Sequence, residues 1–164
     1  MWGNATAVRF AEAGTNRFMN SVFDASGPGQ RIFFFDKSTP ARQLISDYNN
    51  LRPGNEALVA EQEVDQGGNE VYGRLIDWQR GLTQDVHSLS HEPLFVNELS
   101  GDFRLKSQQG RFLPGGGVTN DDDTSPMIDL GDPATAYTNE LEPNGARVNI
   151  GNYGDTRAAS LSLT

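Results

Sequence analysis

Asn120 precedes three consecutive aspartates, Asp121, Asp122 and Asp123, with Asp129 and Asp132 close behind. A turning loop rich in carboxylate oxygens is what a hard cation takes, so Asp121–Asp123 are the candidate metal ligands and calcium the candidate ion. The spacing is not an EF-hand, which needs glycine at the sixth position and glutamate at the twelfth. The plainer reading is a solvated acidic loop, with Asp129 and Asp132 as turn-capping residues. His87 and His91 are the only histidines. Four residues apart they would share a helix face, but Pro93 and the serine-rich flank argue against a helix. Two histidines without a third ligand make a poor zinc site, and His87 reads as structural. The chain has no cysteine, so thiolate and disulfide chemistry are excluded. No serine sits in a Gly-x-Ser-x-Gly elbow. The sequence singles out no catalytic residue.

Carboxylates are too plentiful to choose a pair for glycoside hydrolysis, which depends on their separation across a cleft. Lyase chemistry on an acidic sugar needs a base and a cation that neutralises the uronate. Arg9, Arg31, Lys37, Arg42 and Arg104 are available for that role, and nothing distinguishes one of them. Trp2, Trp78, Tyr48 and Tyr72 are candidate sugar-stacking platforms, although Trp78 reads better as a wedge that fixes a short helix to the core. Asn4-Ala-Thr6 fits a glycosylation sequon.

The elements that must position these groups follow from composition. The chain has 164 residues, 36% hydrophobic and 21% charged, with 18 glycines and a net charge of −9. That is enough to bury a core. The acidic balance excludes a nucleic-acid binder, which needs a basic footprint, and opposes a polyanionic ligand unless metal ions bridge it. The longest apolar stretch, around Ile32–Phe35, is far too short to insert into a membrane. The first residues lack the basic and apolar regions of a signal peptide. Ala7–Phe10 already reads as strand, so the chain is expected to begin inside a longer protein.

Short apolar or alternating runs recur between turn formers: Ala7–Phe10, Phe18–Phe23, Arg31–Phe35, Leu44–Leu51, Leu58–Ala60, Leu94–Asn97, Asp102–Leu105 and Arg147–Ile150. Arg74–Arg80 reads as one short helix, with Gly81 as its stop. A shift of 26 residues carries Val8 through Phe34 to Ala60, and the same shift carries Phe18–Phe23 onto Leu44–Asn49. A constant offset of this size is the signature of a strand solenoid. It predicts Val8 over Phe34 in parallel strands, alternate burial along Ile32–Phe35, and a ladder drawn from Asn20, Asn49 and Asn50.

A longer pattern supports that fold. Ser46-Asp-Tyr-Asn-Asn50 is followed by Trp78-Gln-Arg-Gly-Leu-Thr-Gln-Asp85, His87-Ser88 and Glu92-Pro-Leu-Phe-Val-Asn97. Then come Gly101-Asp-Phe-Arg-Leu-Lys-Ser107, Ser125-Pro-Met-Ile-Asp-Leu-Gly-Asp-Pro133 and Glu142-Pro-Asn-Gly-Ala-Arg-Val-Asn-Ile-Gly-Asn-Tyr-Gly154. This order resembles the C-terminal end of secreted bacterial right-handed parallel β-helix proteins of the pectate-lyase-like superfamily.

The resemblance implies an all-β right-handed parallel β-helix, with coils over residues 1–107, one short helix, and an irregular C-terminal cap over 108–164 of the same domain. It implies a secreted or cell-surface module in polysaccharide recognition or processing. If that module belongs to a lyase or glycoside hydrolase, the active cleft is expected outside this chain. The competing readings are a non-catalytic structural or adhesive surface protein and, less well supported, a β-sandwich binding module. The expected partner is a polysaccharide or cell-surface glycan. A solenoid opened at its first coil would also self-associate through residues 1–23, or pair there with a preceding segment.

Overall fold

A computed structural model describes residues 6–12, 14–65 and 68–163. The chain packs as two compact units, Met1–Phe18 with Phe23–Ser90, and Met19–Val22 with His91–Thr164. The division expected at 107/108 lies inside the second. Trp2 and Asn4 lie outside the described residues. In chain order the strands are β1 (Thr6–Phe10), β2 (Asn16–Met19), β3 (Val22–Ala25), β4 (Arg31–Phe35), β5 (Leu44–Asp47), β6 (Asn50–Pro53), β7 (Leu58–Gln62) and β8 (Glu70–Tyr72). Helix α1 (Leu75–Leu82) follows, then β9 (Phe95–Asn97), β10 (Asp102–Leu105), β11 (Arg111–Phe112) and β12 (Val118–Thr119).

The right-handed parallel β-helix expected from the sequence is not the fold. Among the described residues the strands form one four-stranded sheet, in the order β1-β4-β7-β8, and four two-stranded sheets. None closes or continues through the chain as a solenoid. β1, β4 and β7 are parallel, but β8 returns antiparallel to β7, pairing Tyr72 with Ala60. The reversal puts a hairpin strand on the edge where a further coil would have to add.

The repeat is also uneven. Val8 pairs with Phe33, 25 residues on, and Phe33 with Ala60, 27 residues on. The constant shift of 26 seen in the sequence is the average of two unequal connections, and Phe34 lies opposite Arg9 instead of Val8. Burial does not alternate strictly either. Ile32, Phe33 and Phe35 are buried and Phe34 is half-buried, and β7 shows the same pattern with Val59 and Ala60. Successive strand residues point to opposite faces, so at the level of Ile32 and Val59 both faces of the sheet are covered.

The asparagines do not form the expected ladder. Asn49 works in a buried network of the first unit, whereas Asn20 bonds to Thr135 and to the Asp132 N–H in the second. Leu44–Leu51, read as one run, is broken into β5 and β6 at Tyr48, whose φ of 53° is left-handed. Arg147–Ile150 is not a strand.

The first unit's core is aromatic. Phe10 stacks on Phe35 at 4.5 Å, and Phe33 meets the rings of Phe10, Phe18, Phe23 and Trp78 at 5.3–6.1 Å between centroids. Trp78 is 0% exposed and also packs on Phe35 and edge-on to Tyr72. Gly81 does not stop the helix; α1 runs on to Leu82 and ends at Thr83 in the left-handed conformation. A side chain at position 81 would meet the Tyr72 ring at 2.7 Å, so this glycine serves the close approach of helix to β8.

The second unit holds two short antiparallel hairpins, β9–β10 and β11–β12, and long irregular segments. Leu105, Met127, Ile128, Val148, Ile150 and Ala159 are buried there, beside a comparable set of buried polar side chains. Ser107 donates to the Leu161 carbonyl, Ser125 to that of Pro93 and Ser160 to that of Leu105. Side-chain hydroxyls do here what ladder hydrogen bonds do in a sheet.

Truncating the ring at the centre of the aromatic core gives the first test. Phe33→Ala should cost about 3–5 kcal/mol in chemical denaturation, because it removes the contacts and leaves a cavity. Ile45→Ser, at a residue about half exposed, should change stability by no more than about 0.5 kcal/mol. A loss below about 1 kcal/mol for Phe33→Ala would refute the packing.

Candidate functional site

The most ordered polar cluster of the first unit is built on Asp85, which is 1% exposed. Its Oδ1 accepts from Ser46 Oγ at 3.0 Å, Asn49 Nδ2 at 3.1 Å and Ser88 Oγ at 2.6 Å; its Oδ2 accepts from Trp78 Nε1 at 2.9 Å. The donors come from three separate segments. Backbone bonds fix the geometry: Asp85 N donates to Ser46 O, Asn49 N to Ser88 Oγ, and Leu89 N to Asn49 O. The indole suits this core position because a large apolar ring there also brings an N–H donor for Asp85.

On the outer side of this hub stand Asp47, Tyr48 and His87. Asp47 Oδ2 and His87 Nδ1 are 2.7 Å apart, and Asp47 Oδ1 accepts from the backbone N–H of both His87, at 2.8 Å, and Tyr48, at 3.0 Å. The Tyr48 and His87 rings stack at 4.7 Å with 5° between their planes. The His87 side chain is 57% exposed. With Nδ1 held by a carboxylate, Nε2 is the ring nitrogen left for a ligand. It accepts a hydrogen bond when the ring is neutral and donates when it is protonated. Tyr48 and Asp85, neighbours of this pair, both hold left-handed backbone. For a tyrosine that conformation persists only where the surroundings enforce it, and such positions gather at functional sites.

A groove of about 760 Å³ opens in the same unit, lined by Pro53, Gly54, Leu58, Arg74, Leu75 and Ser90 among others. Its volume is within the range of small-ligand sites. Arg74 is held by Asp77 through two bonds of 2.9 Å, so the groove presents no spare cation from that residue.

The structure disperses the residues expected to act on a metal or a uronate. Asp121 accepts from Arg111 Nε at 2.8 Å and from the Ser107 N–H at 3.0 Å, while Asp122 and Asp123 are exposed. Among the described residues no three acidic or histidine side chains converge on a metal position. Arg9 is paired with Asp36, Arg31 with Glu61, Lys37 with Asp65 and Arg104 with Asp102. Trp78 is a core residue, Tyr72 packs against it, and Tyr48 is the aromatic that reaches a surface site. His87 was expected to be structural; it is exposed and oriented by Asp47. The Asp47–His87 pair joins residues 40 apart, and no local spacing signals it. The one hint lay in Asp47-Tyr-Asn49, a turn-forming run inside an apolar stretch.

The chain matches no protein-family model, no curated protein and no solved structure. No helix among the described residues is long and apolar enough to cross a membrane.

Two outcomes check this geometry. Asp85→Ala removes the shared acceptor of Ser46, Ser88, Asn49 and Trp78 at once, and should cost about 3–5 kcal/mol or abolish folding. His87→Ala should leave stability within about 0.5 kcal/mol. Denaturation followed by the fluorescence of buried Trp78 reads both, and equal effects would refute the hub. Adding calcium after EDTA should leave the thermal midpoint unchanged, because binding at Asp121 would have to displace Arg111. A raised midpoint would identify the aspartates as ligands.

Proposed function

We propose that this chain is an extracellular recognition module for polysaccharide or cell-surface glycan, and that Tyr48, His87 and Asp47 form the surface that meets the sugar. The observation that carries the reading is the parallel Tyr48–His87 stack, fixed from below by the Asp85 hub and from the side by Asp47. A sugar offers apolar C–H faces and a rim of hydroxyls. An aromatic pair with one oriented imidazole nitrogen beside a carboxylate answers both. Because the rings are already held, little side-chain freedom is lost on binding. The net charge of −9 selects a neutral glycan over a uronate polymer. The groove beside Ser90, three residues after His87, gives a longer chain a place to extend.

A second reading, a non-catalytic adhesive or structural surface protein, is favoured by one feature. The β9–β10 hairpin exposes Leu99 (86%) at its turn, with Phe103 half open beside Phe95 at 5.3 Å. An apolar hairpin of this kind suits protein contact.

Native gel electrophoresis through embedded neutral polysaccharides (xylan, β-glucan, galactomannan, dextran) separates the two. The wild-type chain should be retarded by at least one of them, and Tyr48→Ala and His87→Ala should each weaken binding about tenfold or more. Leu99→Ser with Phe103→Ser should leave retardation intact. Retardation that survives both ring substitutions would overturn the assignment of the site, and its absence for every polysaccharide would favour the adhesive reading.

A further inference from the structure

Glu140 is 5% exposed and lies in the irregular second unit. Its Oε1 accepts from two backbone N–H groups, Asn149 at 3.0 Å and Asp155 at 2.8 Å, which brace the segment between them. Its Oε2 is buried and has no hydrogen-bond partner among the described residues. The charges that bear on it are of like sign: Asp129 and Asp155. Arg147 acts on Asp129, and no ion pair reaches Glu140 among the described residues. Asp129 is itself confined, donating its N–H to Asn149 Oδ1, accepting from Ser162 Oγ, and abutting Gly145 so closely that a side chain there would sit 2.2 Å from its Oδ2. An ionised carboxylate with one bare oxygen, two acidic neighbours and no cation of its own is a costly state to bury.

We propose that Glu140 is a proton-operated latch: protonated, it holds residues 149–155 closed, and as it ionises that segment opens to let Oε2 reach water. The titration runs in the required direction. Burial pushes the Glu140 carboxyl above the usual glutamate range, the two N–H bonds pull it back in part, and Asp129 and Asp155 push it up again. Burial raises Asp129 as well. An acid whose value is raised by folding is held more tightly by the folded unit than by the open chain. Its contribution is therefore whole below the ordinary glutamate range and is lost as pH climbs through the raised value. Asp102 runs the opposite way, lowered by its bond to Arg104, so total stability mixes the two signs and cannot serve as the test.

Amide hydrogen exchange on the full chain reads the latch itself. The protection of the Asn149 and Asp155 amides, corrected for intrinsic exchange, should fall at least tenfold from mildly acidic to mildly alkaline solution. The Leu51 amide, bonded to Leu89 O in the first unit, should stay constant. Glu140→Gln, which is neutral at every pH, should hold the protection of both amides flat. Should that variant fail to fold, the ¹³C shift of the wild-type Glu140 carboxyl reports its titration directly. Protection that is flat in the wild type, a fall that persists in Glu140→Gln, or a carboxyl that titrates in the ordinary glutamate range would each overturn the proposal.

Discussion

A single buried carboxylate organises the first unit. Asp85 has no cationic partner among the described residues, so its charge is balanced entirely by neutral donors. Such an arrangement is demanding. Removing one donor exposes a charge to an apolar interior, and removing the carboxylate leaves several donors with nowhere to turn. That demand gives the hub its specificity. It is satisfied only when strand β5, the corner after it, helix α1 and the 85–89 segment arrive together. Asp47 and Tyr48 lie between two members of the hub in sequence, Ser46 and Asn49, and His87 lies between Asp85 and Ser88. The orientation of the exposed pair is thus a by-product of satisfying the buried one.

The two units solve the same problem by different means. The first satisfies its backbone largely through parallel strands and packs aromatic rings between them. The second has little regular structure, and buried serines and asparagines close its loops instead. Ser107 donates to Leu161 O while accepting from the N–H groups of Gln109 and Gly110. Asn149 takes the Asp129 N–H on its oxygen and gives its amide to Ser160 O. Short polar side chains of this kind offer the backbone an alternative to sheet or helix, which is why the hairpins there stay so short.

Much of this was legible in the sequence as local texture and little of it as assembly. The strands at Thr6–Phe10, Arg31–Phe35 and Leu58–Gln62, and the helix around Trp78, follow from runs of apolar residues between turn formers. The period was legible too, but only as an average. Two connections of unequal length give a mean shift that a fixed repeat imitates, and the reversal into β8 leaves no mark beyond Gly67 and Gly68. Tyr48 shows a different limit. A tyrosine between aspartate and asparagine hints at a turn but does not announce a left-handed corner, because the residue adopts it under pressure from contacts made some forty positions away. The Asp47–His87 pair and the Asp85 hub were invisible for that reason.

Charge decides what kind of molecule the exposed pair can serve. The chain carries 13 basic and 22 acidic residues, and seven of the basic ones, Arg9, Arg31, Lys37, Arg52, Arg74, Arg104 and Arg111, each face a carboxylate. Arg9 and Arg31 also lie over the ring of Phe34, at 5.5 and 5.1 Å from its centre, which fixes them to the sheet surface. The exposed pairs among them add little to stability, but each occupies a cation that a polyanion would use. The remaining balance is acidic, 22 carboxylates against 13 cations. An anionic ligand would meet this acidic excess, whereas a neutral ligand would not. For the proposed glycan role, the acidic balance favours a neutral ligand beside the stacked rings of Tyr48 and His87.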